Sequence, residues 1–355
     1  MKFKKWPFIL FILAFVASLS FGTLRAIGTL TEIDRDPTEN TGEHFRMRVA
    51  HGGSEAMLTH QALEVFKEYV ETNSNGQIQV DIFPSGQLGG ESTVISSLRT
   101  GDIEMTVVNT AALVPFTPKL NVMALPFAFP NHQVAYEVLD GEFGQYVSAM
   151  LEDEMGVVGL GFWDALDFRQ LTSNRPIHSP EDLRGLRIRT MENPIQLAIW
   201  NELGASPTPI AFAELYTSLQ QGTVDAQENP LELVTMMRFH EVQDYVTLTN
   251  HLFQTGQAIM SPRFYHSLPV DLQAVVRNGV QAGIDFQRAT FGENYQRFID
   301  ILNESGTVII EPTDQDRQMF VDNTSGVYAS IRIQVGGDLM DRFHHAVQAA
   351  INNQE

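Results

Sequence analysis

The chain has 355 residues, no cysteine, and 43 acidic against 23 basic residues, for a formal net charge of −20. Without a thiol there are no disulfides, thiolate metal sites, cysteine nucleophiles or cysteine-linked lipids. So acidic a surface repels nucleic acid and anionic lipid, so a bound anion must be held by a few local cations working against the global field.

Taken in chain order, Lys2, Lys4 and Lys5 precede a short apolar run, Phe8 to Leu19, and small residues Ser18, Ser20 and Gly22. This pattern predicts a secretory signal over 1–28, hence an exported, periplasmic protein, with an uncleaved anchor as the alternative. The polar, acidic stretch 29–43 predicts a disordered leader. Folded structure is expected from Phe45: FRMRVA as a strand, Leu58–Val70 as a helix, Ile78–Phe83 as a strand, Glu91–Arg99 as a helix closed by Gly101, then Met105–Val108 as a strand. Such a βαβαβ run predicts an α/β lobe with a mainly parallel sheet.

The pattern recurs beyond residue 167. Ser179-Pro180-Glu181-Asp182 reads as a helix start, with a serine cap, a first-turn proline and acids on the helix dipole. Leu186–Thr190 reads as a strand, Ile195–Leu203 and Glu214–Gln220 as helices, and Val224–Gln227 as a strand. Leu268 to about Glu304 is nearly all helix-forming and long for a globular helix. It predicts a spine crossing two lobes, or a coiled-coil seam whose heptads Gly279, Gly283 and Gly292 interrupt.

Ligands of open α/β sheets sit beyond the carboxyl ends of the strands. That rule selects His51, Asn109, Arg189, Asn229 and, after the apolar stretch Val157–Phe168 that contains Trp163, Arg169. Two permanent cations, amides and an aromatic suit an organic carboxylate, because the planar guanidinium matches both carboxylate oxygens. Arg187 and Arg189 alternate along one strand, so a solvated role for both stays open. No nucleophile elbow, Walker loop, zinc-protease helix or dinucleotide fingerprint is present, and no carboxylate pair stands out as an acid–base dyad. His344-His345 has no ligand-like partner nearby in sequence. The reading is of a binding protein with no catalytic residues, metal or cofactor. An α/β enzyme acting on an organic acid, with His51 or Glu91 as its acid or base, is the rival.

RQLTSNRPI from Arg169, PEDLRGLRIR ending at Arg189, and LGASPTPIAFAELYTSLQQGTVDAQENP running through Asn229 to Pro230 closely resemble the solute-binding proteins of tripartite ATP-independent periplasmic (TRAP) transporters, the DctP family. PSGQLGGE and LPVDLQAVV match as well, and the resemblance runs from Phe45 to the C-terminus. It implies a two-lobed α/β binding-protein fold of type II-like design, closing like a flytrap on a central cleft, with crossing hinge strands and a long spine helix. The lobes would comprise 44–166 with 255–294, and 167–254 with 295–350. Arg189 matches the arginine that pairs bidentately with the ligand carboxylate, Arg169 a second arginine at that carboxylate, and Asn229 an asparagine bonded to it. His51, Glu91 and Asn109 match first-lobe positions that read the far end of the ligand, and Phe212 and Trp163 match packing walls. A monomer delivering its ligand to small and large permease subunits is implied. Sialic-acid binders of the family carry glutamate where Asn109 stands and arginine where Ala112 stands, which argues against that ligand. A hexuronate or aldonate is expected, with a C4-dicarboxylate or other carboxylate as the alternative.

Overall fold

The computed structural model describes residues 44–163 and 167–354; the expected signal (1–28) and leader (29–43) lie outside the described residues. β1 (Phe45–Ala50), α1 (Leu58–Asn73), β2 (Ile78–Phe83), α2 (Glu91–Thr100) and β3 (Met105–Asn109) form the anticipated βαβαβ unit, with β1 parallel to β2 and β3. Gly101 stops α2 with φ 85°, a left-handed turn that a side chain would strain. The sheet is completed by β4 (Val158–Trp163) and β10 (Gly256–Met260), in the order β2-β1-β3-β10-β4. β10 is antiparallel to both neighbours, so the sheet is mixed rather than parallel throughout.

The second sheet contains β5 (Phe168–Ser173), β6 (Arg187–Thr190), β7 (Ser206–Pro209), β8 (Ala226–Asn229), β9 (Tyr245–Phe253) and β11 (Val308–Ile310), in the order β11-β9-β5-β8-β6-β7. The apolar stretch before Arg169 therefore divides: β4 belongs to the first sheet and β5 to the second. A continuous apolar run cannot reveal that its two halves are buried in different cores. Ser179 does cap a helical turn, with a reciprocal capping box to Asp182, but the turn is 3₁₀ and ends at Leu183. Both sheets carry helices: α3 (Thr110–Leu113), α4 (His132–Asp140) and α5 (Glu142–Met155) after the first three strands, and α6 (Pro194–Glu202), α7 (Leu215–Gln220) and α8 (Leu231–Met236) in the second half. The short α9 (Pro262–Tyr265) leads into the spine.

The spine is one unbroken helix, α10 (Val270–Glu304). Its first half buries Leu272, Val276, Val280 and Ile284 among the core residues of the first sheet and α1. Its second half buries Phe291, Phe298 and Leu302 with Leu231, Val234 and Phe239 of the second half of the chain. Two of the three glycines that spoil a heptad, Gly279 and Gly283, are what let α1 and Trp163 approach, whereas Gly292 faces open space. A Cβ on Gly279 would lie 2.8 Å from Val70 Cγ2, and one on Gly283 would lie 2.3 Å from Trp163 Cη2 and 3.1 Å from the Ala62 carbonyl. Gly283→Ala is expected to cost about 1–3 kcal/mol by overpacking, more than the roughly 1 kcal/mol of helix propensity it gains. Urea unfolding checks this, and an unchanged midpoint would mean that the indole gives way.

The chain ends in α11 (Asp314–Asn323), α12 (Ser325–Val335) and α13 (Gly337–Asn352). α12 packs on the 118–124 segment and α6, and α13 on α4 and α5. Phe343 meets Phe129 and Phe143 edge-on at ring-centre distances of 5.5 and 5.3 Å. These helices thus touch elements of both halves.

Candidate functional site

β5 and β8 run antiparallel with Gln170 opposite Asn229 and Leu171 opposite Glu228. That register brings Arg169, one position earlier on β5, against the end of β8. Its guanidinium is only 2% exposed and fully engaged. Nε and Nη2 form a fork on the Glu228 carboxylate, Nη2 also donates to the Glu228 carbonyl (2.6 Å) and to Asn229 Oδ1 (2.9 Å), and Nη1 donates to Gln254 Oε1 (2.6 Å). Glu228 also accepts from His251 Nε2 at 3.1 Å, while Thr249 Oγ1 lies 2.8 Å from the other ring nitrogen. A carboxylate can only accept, so His251 carries its proton on Nε2 toward Glu228. Desolvation pushes the Glu228 carboxyl up, but Arg169 and His251 outweigh it and hold it at about 2.

His251 reaches this point because β9 bulges. The β5–β9 register slips between Arg169 and Leu171, and Asn250 takes a left-handed φ of 47°. Gln170 clamps that bulge: its Nε2 donates to Asn250 Oδ1 (2.6 Å), and its Oε1 accepts from the Asn250 N–H (3.0 Å). Behind Arg169 a buried relay continues from Asn229 to Gln227, then to Thr172 and Gln243.

Arg189 is held differently. It is equally buried, its Nε donates to the Ile210 carbonyl at 2.9 Å, and its Nη1 has no partner. Burial drags its guanidinium down to about 10, with Glu228 pulling it up, Arg169 pushing it down and Glu91 pulling it up. It remains charged at neutral pH, and the depression measures the cost of a buried cation short of a counter-charge. Arg187, two residues earlier, is exposed and paired with Asp225, so the two strand arginines have different fates.

Glu91, in the first turn of α2, stays open to water. The surrounding protein pushes its carboxyl up, and the Asn109 N–H and Arg189 pull it back. Asn109 ends β3 and caps α3 through its side chain, accepting from the Ala111 N–H at 2.9 Å. His51 is buried 3.0 Å from His60 and has no partner on Nδ1. Burial and His60 lower it to about 4, so it is neutral at physiological pH. Trp163 is fully buried in the first-sheet core with its indole N–H unpartnered, and Phe212 is 37% exposed and edge-on to Phe239.

An open cavity of about 320 Å³, including space open to solvent, is lined by Asn109, Thr110, Val114, Met123, Arg169, Asn193, Gln196, Leu252 and Gln254, among others. Of the residues singled out from sequence, Asn109 and Arg169 line it. Arg189, Asn229 and Glu91 are tied to this group by the bonds and fields above, whereas His51, Trp163 and Phe212 are not brought to it. Glu228, His251, Gln254 and Asn193 were not singled out, although Glu228 directly precedes Asn229 in the same motif. Glu232 on α8 accepts the Leu58 N–H at 3.0 Å, supplying α1 with the cap that Met57, its own N-cap residue, cannot give. Among the described residues no cluster of histidine and acidic side chains could hold a metal ion.

Residues 49–334 match the model of the bacterial extracellular solute-binding protein family 7, DctP. The 2,3-diketo-L-gulonate-binding periplasmic protein YiaO of Escherichia coli K12 is 32% identical over 277 residues, 78% of this chain and 83% of that protein. The sugar acid binding protein DctPAm of Advenella mimigardefordensis, solved with galactonate, superposes with a TM-score of 0.82 at 30% identity, covering 87% of this chain and 99% of that one. A TRAP periplasmic solute binding protein of Sulfurospirillum deleyianum, with bound succinate, gives 0.79 at 29% identity, covering 87% and 100%.

Proposed function

Because the chain belongs to the bacterial extracellular solute-binding proteins of family 7, the DctP family, whose members are periplasmic binding components of transport and not enzymes, we propose that its cleft captures a hydroxylated organic acid, a hexuronate or aldonate, and hands it to the membrane subunits of a TRAP transporter. One observation carries this reading: of the two buried arginines, Arg169 is already neutralised by Glu228, and Arg189 is left with a free donor and an uncompensated charge. One ligand carboxylate meets that demand. It would pair with Arg189, beside the Arg169–Glu228–Asn229 cluster, whose own hydrogen bonds are made within the protein. Arg169 is the sole charged side chain among the residues lining the cavity, which disfavours a second carboxylate on the ligand. The related proteins known to bind 2,3-diketo-L-gulonate and galactonate support the same class.

Closure would act as a population shift: the ligand stabilises the conformation in which both lobes touch it. A thermal-shift screen of the protein with D-galactonate, D-galacturonate, succinate, keto acids and amino acids tests the reading. Ligand at 100 times its dissociation constant adds about 2.7 kcal/mol of stability. A shift with a sugar acid supports it; a shift confined to succinate would replace it with a dicarboxylate binder.

A further inference from the structure

Resting on the sugar-acid reading above, we propose that Asn193 and Thr110 are the specificity-determining pair of the cleft, reading ligand hydroxyl groups in the cavity that both line. Asn193 precedes α6 and is 1% exposed. Its Oδ1 accepts the Ile195 N–H at 2.8 Å and the Gln196 N–H at 3.3 Å. Those two bonds fix which way the amide faces, because only the oxygen can accept from the helix. The Nδ2 group is therefore turned away from the helix. It has no partner, although the residue lines the cavity.

Thr110 follows β3 in the first half of the chain. It is 3% exposed, lines the same cavity, and has a buried Oγ1 that is also unpartnered. Buried polar groups in native proteins are hydrogen-bonded to protein, water or ligand, so one that lines a cavity without a protein partner is available to what enters it. Asn193 can only donate with Nδ2, while Thr110 can donate or accept. Both groups are neutral. Arg169 has every nitrogen of its guanidinium engaged elsewhere. The uncommitted polarity of Asn193 and Thr110 is thus suited to hydroxyl oxygens and not to another carboxylate. Val114, Leu120, Met123 and Leu252 also line the cavity and offer apolar surface to the C–H edges of a polyhydroxylated chain.

Asn193→Ser and Thr110→Val test the pair by calorimetric titration with D-galactonate, D-galacturonate and succinate. Serine retains an N-cap for α6, and valine retains the threonine shape, so ligand-free melting midpoints should not fall. Each variant is expected to weaken binding of the sugar acid about tenfold or more, because a ligand hydroxyl then loses its partner in a dry site. Asn193→Asp, which keeps the cap and the size but exchanges donors for acceptors, is expected to weaken it in the same direction. Sugar-acid affinities unchanged in Asn193→Ser and Thr110→Val would overturn the pair and leave the sugar-acid reading intact. A wild-type protein that binds succinate and neither sugar acid would overturn both.

Discussion

Arg189→Met is expected to abolish ligand binding while making the ligand-free protein more stable. The two effects have one origin. Burial lowers the Arg189 guanidinium from its ordinary value to about 10, so its charged form is disfavoured in the folded protein at every pH below that ordinary value. The sign follows from linkage. Between pH 10 and the ordinary arginine range the unfolded chain holds a proton that the folded chain has shed, so stability rises with pH there. Below pH 10 both states hold the proton and the full cost is present. Replacing the cation with an apolar side chain of comparable length removes that cost, a gain on the order of 1–3 kcal/mol, flat from pH 5 to 9. The loss of affinity is larger. A buried ligand carboxylate left without its cation costs about 3–5 kcal/mol, a factor of roughly a hundred and fifty to several thousand. Titration calorimetry and urea melts on the same preparation read both. Wild-type affinity in the variant would remove Arg189 from the carboxylate, and a ligand-free protein less stable than wild type would mean that the bond to the Ile210 carbonyl outweighs the desolvation.

Much of this site was legible in the sequence, for identifiable reasons. Arg169 and Asn229 lie 60 residues apart, yet the motif pairs them and the structure bonds them directly. Glu91 and Arg189 stand in different halves of the chain and feel each other's charge. What could not be read was which arginine is free. Glu228 is visible as an acid beside Asn229, but its claim on Arg169 depends on the antiparallel β5–β8 register, and that of His251 on a bulge in β9. Asn193 is easily read as a helix cap, which it is, and that role hides the other half of its amide. Trp163 reads as an aromatic wall for a ligand; its place beside Gly283 is fixed by how closely α1 can approach the spine, and no local pattern reports that distance.

The same asymmetry predicts the opposite outcome at the neighbouring arginine. Glu228→Gln is expected to destabilise the ligand-free protein by about 3–5 kcal/mol at neutral pH, because it leaves the Arg169 charge buried without a counter-ion. The Glu228 carboxyl is depressed from 4.5 to about 2, so its stabilising contribution is complete above pH 4.5 and disappears as pH falls through 2. Wild type and variant should therefore differ by a constant amount from pH 5 to 8 and converge between pH 4.5 and 2. Denaturant melts across that range give the curve directly. A difference that persisted unchanged to pH 2 would indicate lost packing or hydrogen bonding instead of lost charge. In the variant two arginines face the cleft without compensation, so a bound carboxylate should recover part of the deficit, and the ligand-induced rise in melting temperature should exceed that of wild type. Glu228 would then set the number of negative charges the cleft accepts: it satisfies one arginine permanently and leaves a single cation for the ligand.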